Sequence, residues 1–167
     1  MTFGGSDIDW PLDIIGFSDA DYANNFDWKS ITGYVFYLGG AAITWCSRKQ
    51  RVTVTSTCEA EYIAASTATK EAIWLRNLLT GLGFPPSGPT TLFVDNQSAI
   101  ALTANNQFHD RSKHIDIQYH AIRDRIEEGS ITIEHVPSEE NTADVFTKPL
   151  AAPLHARFTR ELGLLPN

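Results

Sequence analysis

The sequence predicts an α/β fold: a five-stranded mixed sheet, an antiparallel meander over strands 1–3 followed by parallel strands, flanked by helices. Three observations carry this expectation. The N-terminal part holds three runs rich in β-branched and aromatic residues, separated by turn signals. From residue 56 onward, helical patterns alternate with short apolar runs, and strands joined through helices pair in parallel. The chain has 167 residues, 43% hydrophobic and 20% charged, which suits one globular core.

Residues 1–11 read as a leader segment without a core of its own. Residues 12–19 form the first strand, with Ile15, Phe17 and Asp19 on one face by the period of two. Residues 20–31 are polar and turn-like. Residues 32–38 make the second strand, Gly39-Gly40 the hairpin and residues 41–47 the third strand. A basic stretch, Arg48, Lys49 and Arg51, follows. Ser56 and Glu59 then form a capping-box signature, which opens a helix running to about Leu79. Residues 91–95 are the fourth strand, 96–103 a short helix and 104–111 an irregular stretch. Residues 112–128 form a long helix, with Ile115, Tyr119, Ile122 and Ile126 at helical spacing and Gly129 as its stop. Residues 130–136 alternate as the fifth strand, which Pro137 ends. Residues 139–148 suggest a further helix and 154–162 a terminal one. The expected division is a leader over 1–11, the α/β domain over 12–150 and a C-terminal helix and tail over 151–167.

Bulk properties exclude several classes. Residues 1–10 are polar and acidic and do not read as a signal peptide. No apolar run approaches the ~18–20 residues of a membrane span, so no membrane partner is expected. The two cysteines, Cys46 and Cys58, lack metal-ligand spacing and read as reduced thiols of an intracellular protein. The formal net charge of −7 argues against a strong electrostatic grip on nucleic acid, unless some of the acids are metal ligands.

Four acids in four different elements point to such a role: Asp19, Glu61, Asp95 and Asp144, lying 42, 34 and 49 residues apart. If the fold gathers them, their repulsion needs a compensating charge, and a hard divalent cation supplies it. Each also has an ordinary reading. Strand parity does not separate Asp19 from Asp21. Asp95, between a strand and a helix, fits an N-cap. Asp144 could lie on a solvated helix face. The helix frame does separate Glu59 from Glu61. Steps of three and four from Glu61 reach Ala65, Ala68, Ala72, Leu75 and Leu79, the stripe suited to pack on the sheet. From Glu59 they reach Ile63, Ser66, Thr67 and Lys70, a more polar face, which leaves Glu59 as the capping-box partner.

These residues sit in motifs that resemble the ribonuclease H domain of copia-type long-terminal-repeat retrotransposon polyproteins. The motifs are Gly-Phe-Ser-Asp-Ala-Asp-Tyr-Ala (16–23), Ser-Ile-Thr-Gly-Tyr-Val-Phe (30–36), Ile-Thr-Trp-Cys-Ser-Arg-Lys-Gln (43–50) and Glu-Ala-Glu-Tyr-Ile-Ala (59–64). They continue with Val-Asp-Asn-Gln-Ser-Ala-Ile (94–100), Lys-His-Ile-Asp-Ile-Gln-Tyr-His (113–120) and Ala-Asp-Val-Phe-Thr-Lys-Pro-Leu (143–150), in the family's order across residues 12–165.

The resemblance implies a ribonuclease H-like fold and metal-dependent hydrolysis of the RNA strand of an RNA–DNA hybrid. It places the family's catalytic and metal-binding acids on Asp19, Glu61, Asp95 and Asp144. It implies two Mg²⁺, with Mn²⁺ as substitute, ~3.5–4 Å apart. Asp19 would bridge them, Glu61 and Asp95 would serve the leaving-group side, and Asp144 the water side. Ser56, Thr57 and Gln97 lie near these acids as candidate contacts to 2′-hydroxyls or phosphates. Arg48, Lys49, Arg51 and Lys148 are candidate phosphate contacts. The implied partners are the hybrid and a reverse transcriptase domain of the same polyprotein, with the isolated domain a monomer. The implied setting is a cytoplasmic retroelement particle or the nucleus. The rival reading is an inactive or repurposed hybrid-binding or interaction domain. Other clusters read as ordinary structure: His135 as a strand residue, His109, His114 and His120 as surface or structural histidines, and Trp28, Trp45 and Trp74 as core or hairpin residues.

Overall fold

The structure, a computed structural model, describes residues 13–22, 28–104 and 113–164; for 102–104 and 113–119 it describes the backbone alone. The leader 1–11, most of the irregular stretch 104–111, and the side chains of His109 and His114 lie outside that range. In chain order the elements are β1 (Ile14–Asp21), β2 (Ile31–Leu38), β3 (Ala41–Lys49), α1 (Thr57–Gly81), β4 (Thr90–Val94), α2 (Gln97–Ala104), α3 (Lys113–Glu127) and β5 (Ile131–His135). Two 3-10 turns, Ser138–Glu140 and Thr142–Phe146, precede α4 (Ala152–Glu161).

The five strands form one sheet in the order β3-β2-β1-β4-β5. β1, β2 and β3 pair antiparallel, and β1–β4 and β4–β5 pair parallel, as expected for a meander followed by helix-connected strands. The hairpin turns on Gly39 and Gly40, both at positive φ (58° and 78°), the backbone a tight two-residue connection requires. Gly16 meets a different demand. It lies opposite Phe36, and a Cβ there would come 2.3 Å from the ring.

Two layers cover the sheet. On one face, Ala65, Ala68, Ala72, Leu75 and Leu79 of α1 pack on Ile14, Phe36, Leu92, Val94 and Ile131. The small alanines let the helix lie close to the sheet, and each fully buried large side chain beneath contributes roughly 1.5–3 kcal/mol. On the other face, Val35 and Ala42 meet Leu162, with Phe17, Tyr37, Val145 and Phe146 around them. Phe17 stacks on Phe93, with ring centroids 5.2 Å apart. Phe158 of α4 is fully buried.

Three expectations need correction. Residues 139–148 form no α-helix: Asn141 sits extended (φ −79°, ψ 95°) between two 3-10 turns, because its side chain is committed elsewhere. The face read as more polar from Glu59 is half buried, since Ile63 and the polar Ser66 are both covered. Trp28 and Trp74 are largely exposed rather than in the core, whereas Trp45 lies in the β2–β3 hairpin as expected, also with an exposed side chain.

Candidate active site

The acids meet where pairing between β1 and β4 stops. That ladder ends at Ser18 and Val94, while β1 runs on to Asp21 paired only with β2. The C-terminal ends of these parallel strands, beside the antiparallel meander, are a switch point of the kind where α/β sheets bind ligands. The free edge leaves the Ala20 N–H unpaired by β4, and it donates to the Glu61 carboxylate arriving from α1. Asp95 follows β4 directly. One oxygen from each of Asp19, Glu61 and Asp95 lies within 4.8 Å of the others. This approaches the ~4.2 Å across an ion with ~2.1 Å bonds to its ligands. Asp144 stands outside that trio, on the second 3-10 turn, with Lys148 Nζ 2.9 Å from its Oδ2.

Each acid is shaped by its neighbours. Ser56 caps α1, accepting from the Glu59 N–H at 3.2 Å. Glu59 reaches back to the N–H and hydroxyl of Thr55, at 2.8 and 3.0 Å, one residue before the cap. Glu61, two residues on, is left to turn inward. The N-cap that Asp95 might have filled belongs to Asn96, whose Oδ1 accepts from Ser98 and Ala99 at 2.9 and 3.1 Å. Asp95 instead accepts from Ser138 Oγ at 2.7 Å. The Asn141 amide donates to the Ser18 carbonyl at 2.9 Å, fixing the 3-10 turns to β1 beside Asp19. Thr147 donates its hydroxyl to Asp19 Oδ2. Gln50 Nε2 bonds Thr32 Oγ1 and the Ala60 carbonyl at 3.0 and 2.9 Å, tying the first turn of α1 to β2.

The electrostatics are those of a cation site. Burial, then the Asp19 and Asp95 charges, push Glu61 up to about 9. Burial, then Asp19, push Asp144 up to about 7. Burial also raises Asp19, although Lys148 and Thr147 pull against it. Glu61 Oε2 and Asp144 Oδ1 are buried with no hydrogen-bond partner among the described residues. The close trio of Asp19, Glu61 and Asp95, with an orphaned carboxylate oxygen on Glu61 and another on Asp144, fits a hard divalent cation such as Mg²⁺ or Mn²⁺, and the all-oxygen set suits zinc poorly.

Sequence reasoning did not single out Ser138, Asn141, Thr147 or Gln50. Asn141 and Thr147 lie in or beside a quoted motif, but their partners are 123 and 128 residues away. Gly33 makes room for this arrangement. It pairs with Asp19, and a Cβ on it would come 2.5 Å from Thr147 Cγ2 and 3.0 Å from the Ala143 carbonyl. Gly33→Ala is therefore expected to cost about 1–3 kcal/mol, as overpacking does, read as a lower midpoint in denaturant unfolding. Thr147 and Asp19 should be displaced with it.

The remaining candidates fall into two groups. Arg48 and Lys49 end β3, with Arg48 across Thr32 from Ala20 and Lys49 across Ile31 from Asp21. Two strand spacings, about 10 Å, thus separate them from the acidic strand end. Arg48, Lys49, Arg51, Thr57 and Gln97 are exposed around this end of the sheet, and the Ser56 hydroxyl is engaged in capping. Lys148 is placed differently, turned in among the acids rather than outward with the other cations. His135 ends β5 opposite Val94 and is exposed, as is His120 on α3. Among the described residues, Cys46 and Cys58 form no disulfide. No described helix is long and apolar enough to cross a membrane.

No family model matches the sequence. Over 155 residues, 92% of its length, the chain is 39% identical to the Retrovirus-related Pol polyprotein from transposon RE2 of Arabidopsis thaliana. Over 149 residues, 89% of its length, it is 44% identical to the Retrovirus-related Pol polyprotein from transposon TNT 1-94 of Nicotiana tabacum. It spans 11% of the length of each of these relatives. Among solved structures, LC11-RNase H1, isolated from compost by a metagenomic approach, matches with a TM-score of 0.60 at 16% identity, over 81% of this chain and 93% of that one. LC11-RNase H1 in complex with an RNA/DNA hybrid matches with a TM-score of 0.56 at 18% identity, over 81% and 94%. This likeness is one of fold, and the fold is ribonuclease H-like.

Proposed function

Because the chain belongs to the copia-type retrotransposon Pol polyproteins, as their ribonuclease H domain, we propose that it is a divalent-metal-dependent endoribonuclease hydrolysing the RNA strand of an RNA–DNA hybrid. The observation that carries this reading is the convergence of Asp19, Glu61 and Asp95 on one point, with Asp144 beside them. Asp19, Glu61 and Asp95 would hold one Mg²⁺, and Asp19 with Asp144 the other. Bound there, the ions would supply the charge that activates a water and neutralises the leaving 3′ oxygen.

The chain's own residues supply position. Ser138 and Thr147 orient Asp95 and Asp19 through their hydroxyls. The Ala20 N–H holds the Glu61 carboxylate at the strand edge. Arg48, Lys49 and Arg51, with the α1 N-terminus at Thr57, offer a phosphate-facing rim beside the acids. Gln97, at the start of α2 two residues after Asp95, is a candidate reader of the minor groove. With a net charge of −7, the domain should bind hybrid modestly and in a salt-sensitive way. A reverse transcriptase domain in the same polyprotein would supply further grip.

The test is cleavage by the isolated chain of a hybrid labelled in its RNA strand, with RNA duplex and DNA duplex as controls. Mg²⁺- or Mn²⁺-dependent cuts confined to the RNA of the hybrid are expected. Hybrid binding without cleavage in either ion would overturn the enzymatic reading and leave a binding module.

A further inference from the structure

Lys148 splits the acidic centre into two unequal halves. Its ammonium lies 2.9 Å from Asp144 Oδ2 and 3.8 Å from Asp19 Oδ2, and among the described residues no ion pair joins it to Glu61 or Asp95. One side of the site thus carries three converging carboxylates, and the other has a cation already in place. The surroundings hold that cation's partners still. The Thr147 hydroxyl donates to Asp19, the same hydroxyl lies 3.1 Å from the Asp144 carbonyl, and the Lys148 N–H donates to that carbonyl at 3.2 Å. The lysine side chain itself remains 34% exposed, so its flexible stem has a route out to solvent.

A divalent ion ligated by Asp144 at ~2.0–2.1 Å, through Oδ2 or through the unpartnered Oδ1 of the same carboxylate, would sit within a few ångströms of the ammonium. Two cations at such separation repel strongly in a buried site. Resting on the metal-dependent reading above, we propose that Lys148 is the resident counter-ion of Asp144 and Asp19, which a divalent cation must displace to reach Asp144. The site formed by Asp19, Glu61 and Asp95 then fills first. The Asp144 side fills only in competition with the ammonium, and Lys148 sets the concentration at which it does so.

Calorimetric titration of the full chain with Mn²⁺ tests this. The wild type should show one tighter and one weaker site. In Lys148→Met the weaker site should tighten by about tenfold or more, the ammonium's opposition being gone, while the tighter site moves little. Two sites of unchanged affinity in a folded Lys148→Met chain, or a weakened second site, would overturn the proposal alone. Absence of Mn²⁺ binding in wild type and variant alike would overturn it together with the metal-dependent reading. A second measurement needs no substitution. Acylation of Lys148 by an amine-reactive ester, followed by peptide mass spectrometry, should accelerate in saturating Mg²⁺ as the ammonium leaves the carboxylates. Unchanged or slower labelling in Mg²⁺ would overturn the displacement.

Discussion

Asp19→Asn is expected to lower hybrid cleavage on the order of 10³-fold or more, corresponding to the several kcal/mol of charge stabilisation that a positioned metal supplies. Asp19 is the residue common to both halves of the site. It lies with Glu61 and Asp95 in the converging trio, and it faces Thr147 and Lys148 on the other side. The variant should fold, because Asn keeps the shape and can still accept from Thr147. It also removes one of several like charges from a buried cluster. Circular dichroism and thermal unfolding check the fold. Two further readouts separate a chemical role from a structural one. The rise in melting temperature given by Mg²⁺ should shrink sharply, and hybrid affinity should change little, since the outer cations are untouched. Asp21→Asn is the contrast. Asp21 shares the strand face that parity could not resolve but lies outside the converging trio, so cleavage should stay near wild type. Equal loss in both variants would mean that the strand end, rather than Asp19, is what matters.

Much of the architecture was legible from local pattern. The meander followed from β-branched runs and Gly39-Gly40, and α1 from Ser56, Glu59 and the alanine stripe. The helix frame also put Glu61, not Glu59, on the packed face, where it is buried. What escaped has long-range causes. Residues 139–148 carry a helix-like pattern, yet Asn141 breaks it, because its amide is drawn to the Ser18 carbonyl 123 residues away. Asp95 fitted an N-cap, but Asn96 fills that role, a choice that turn geometry makes and spacing does not. Lys148 read as one more basic residue among four. Only the packing of the second 3-10 turn against β1 and β2 turns it inward. Trp28 and Trp74 were misjudged for a related reason: a large aromatic residue suits a core, and whether it is covered depends on partners the local pattern does not name.

Metal-free protein is expected to lose stability as pH rises from about 5 to 9, and Glu61→Gln should remove much of that loss. Glu61 has a folded pKa of about 9 against an ordinary value of 4.5, with burial the main cause and the Asp19 and Asp95 charges adding to it. Between those two values the native chain keeps a proton that the unfolded chain releases. Stability therefore falls with rising pH across the window, the reverse of a salt-bridged carboxylate. Holding that proton costs ~1.4 kcal/mol for every pH unit crossed, so the difference between Gln and Glu at position 61 reaches the order of several kcal/mol by pH 9. Asp144, raised to about 7 from 3.8, adds to the lower part of the same window, where Lys148 offsets part of its cost. The measurement is chemical unfolding in EDTA at several pH values, wild type against Glu61→Gln. The gap should widen steadily in favour of the variant as pH rises. Mg²⁺ should close it from the other side, because an ion that binds the deprotonated carboxylate stabilises most where least proton must be expelled. The same ion should do little for Glu61→Gln. A pH-independent gap would place Glu61 in ordinary solvent contact and remove the basis for treating it as a ligand held ready for a cation.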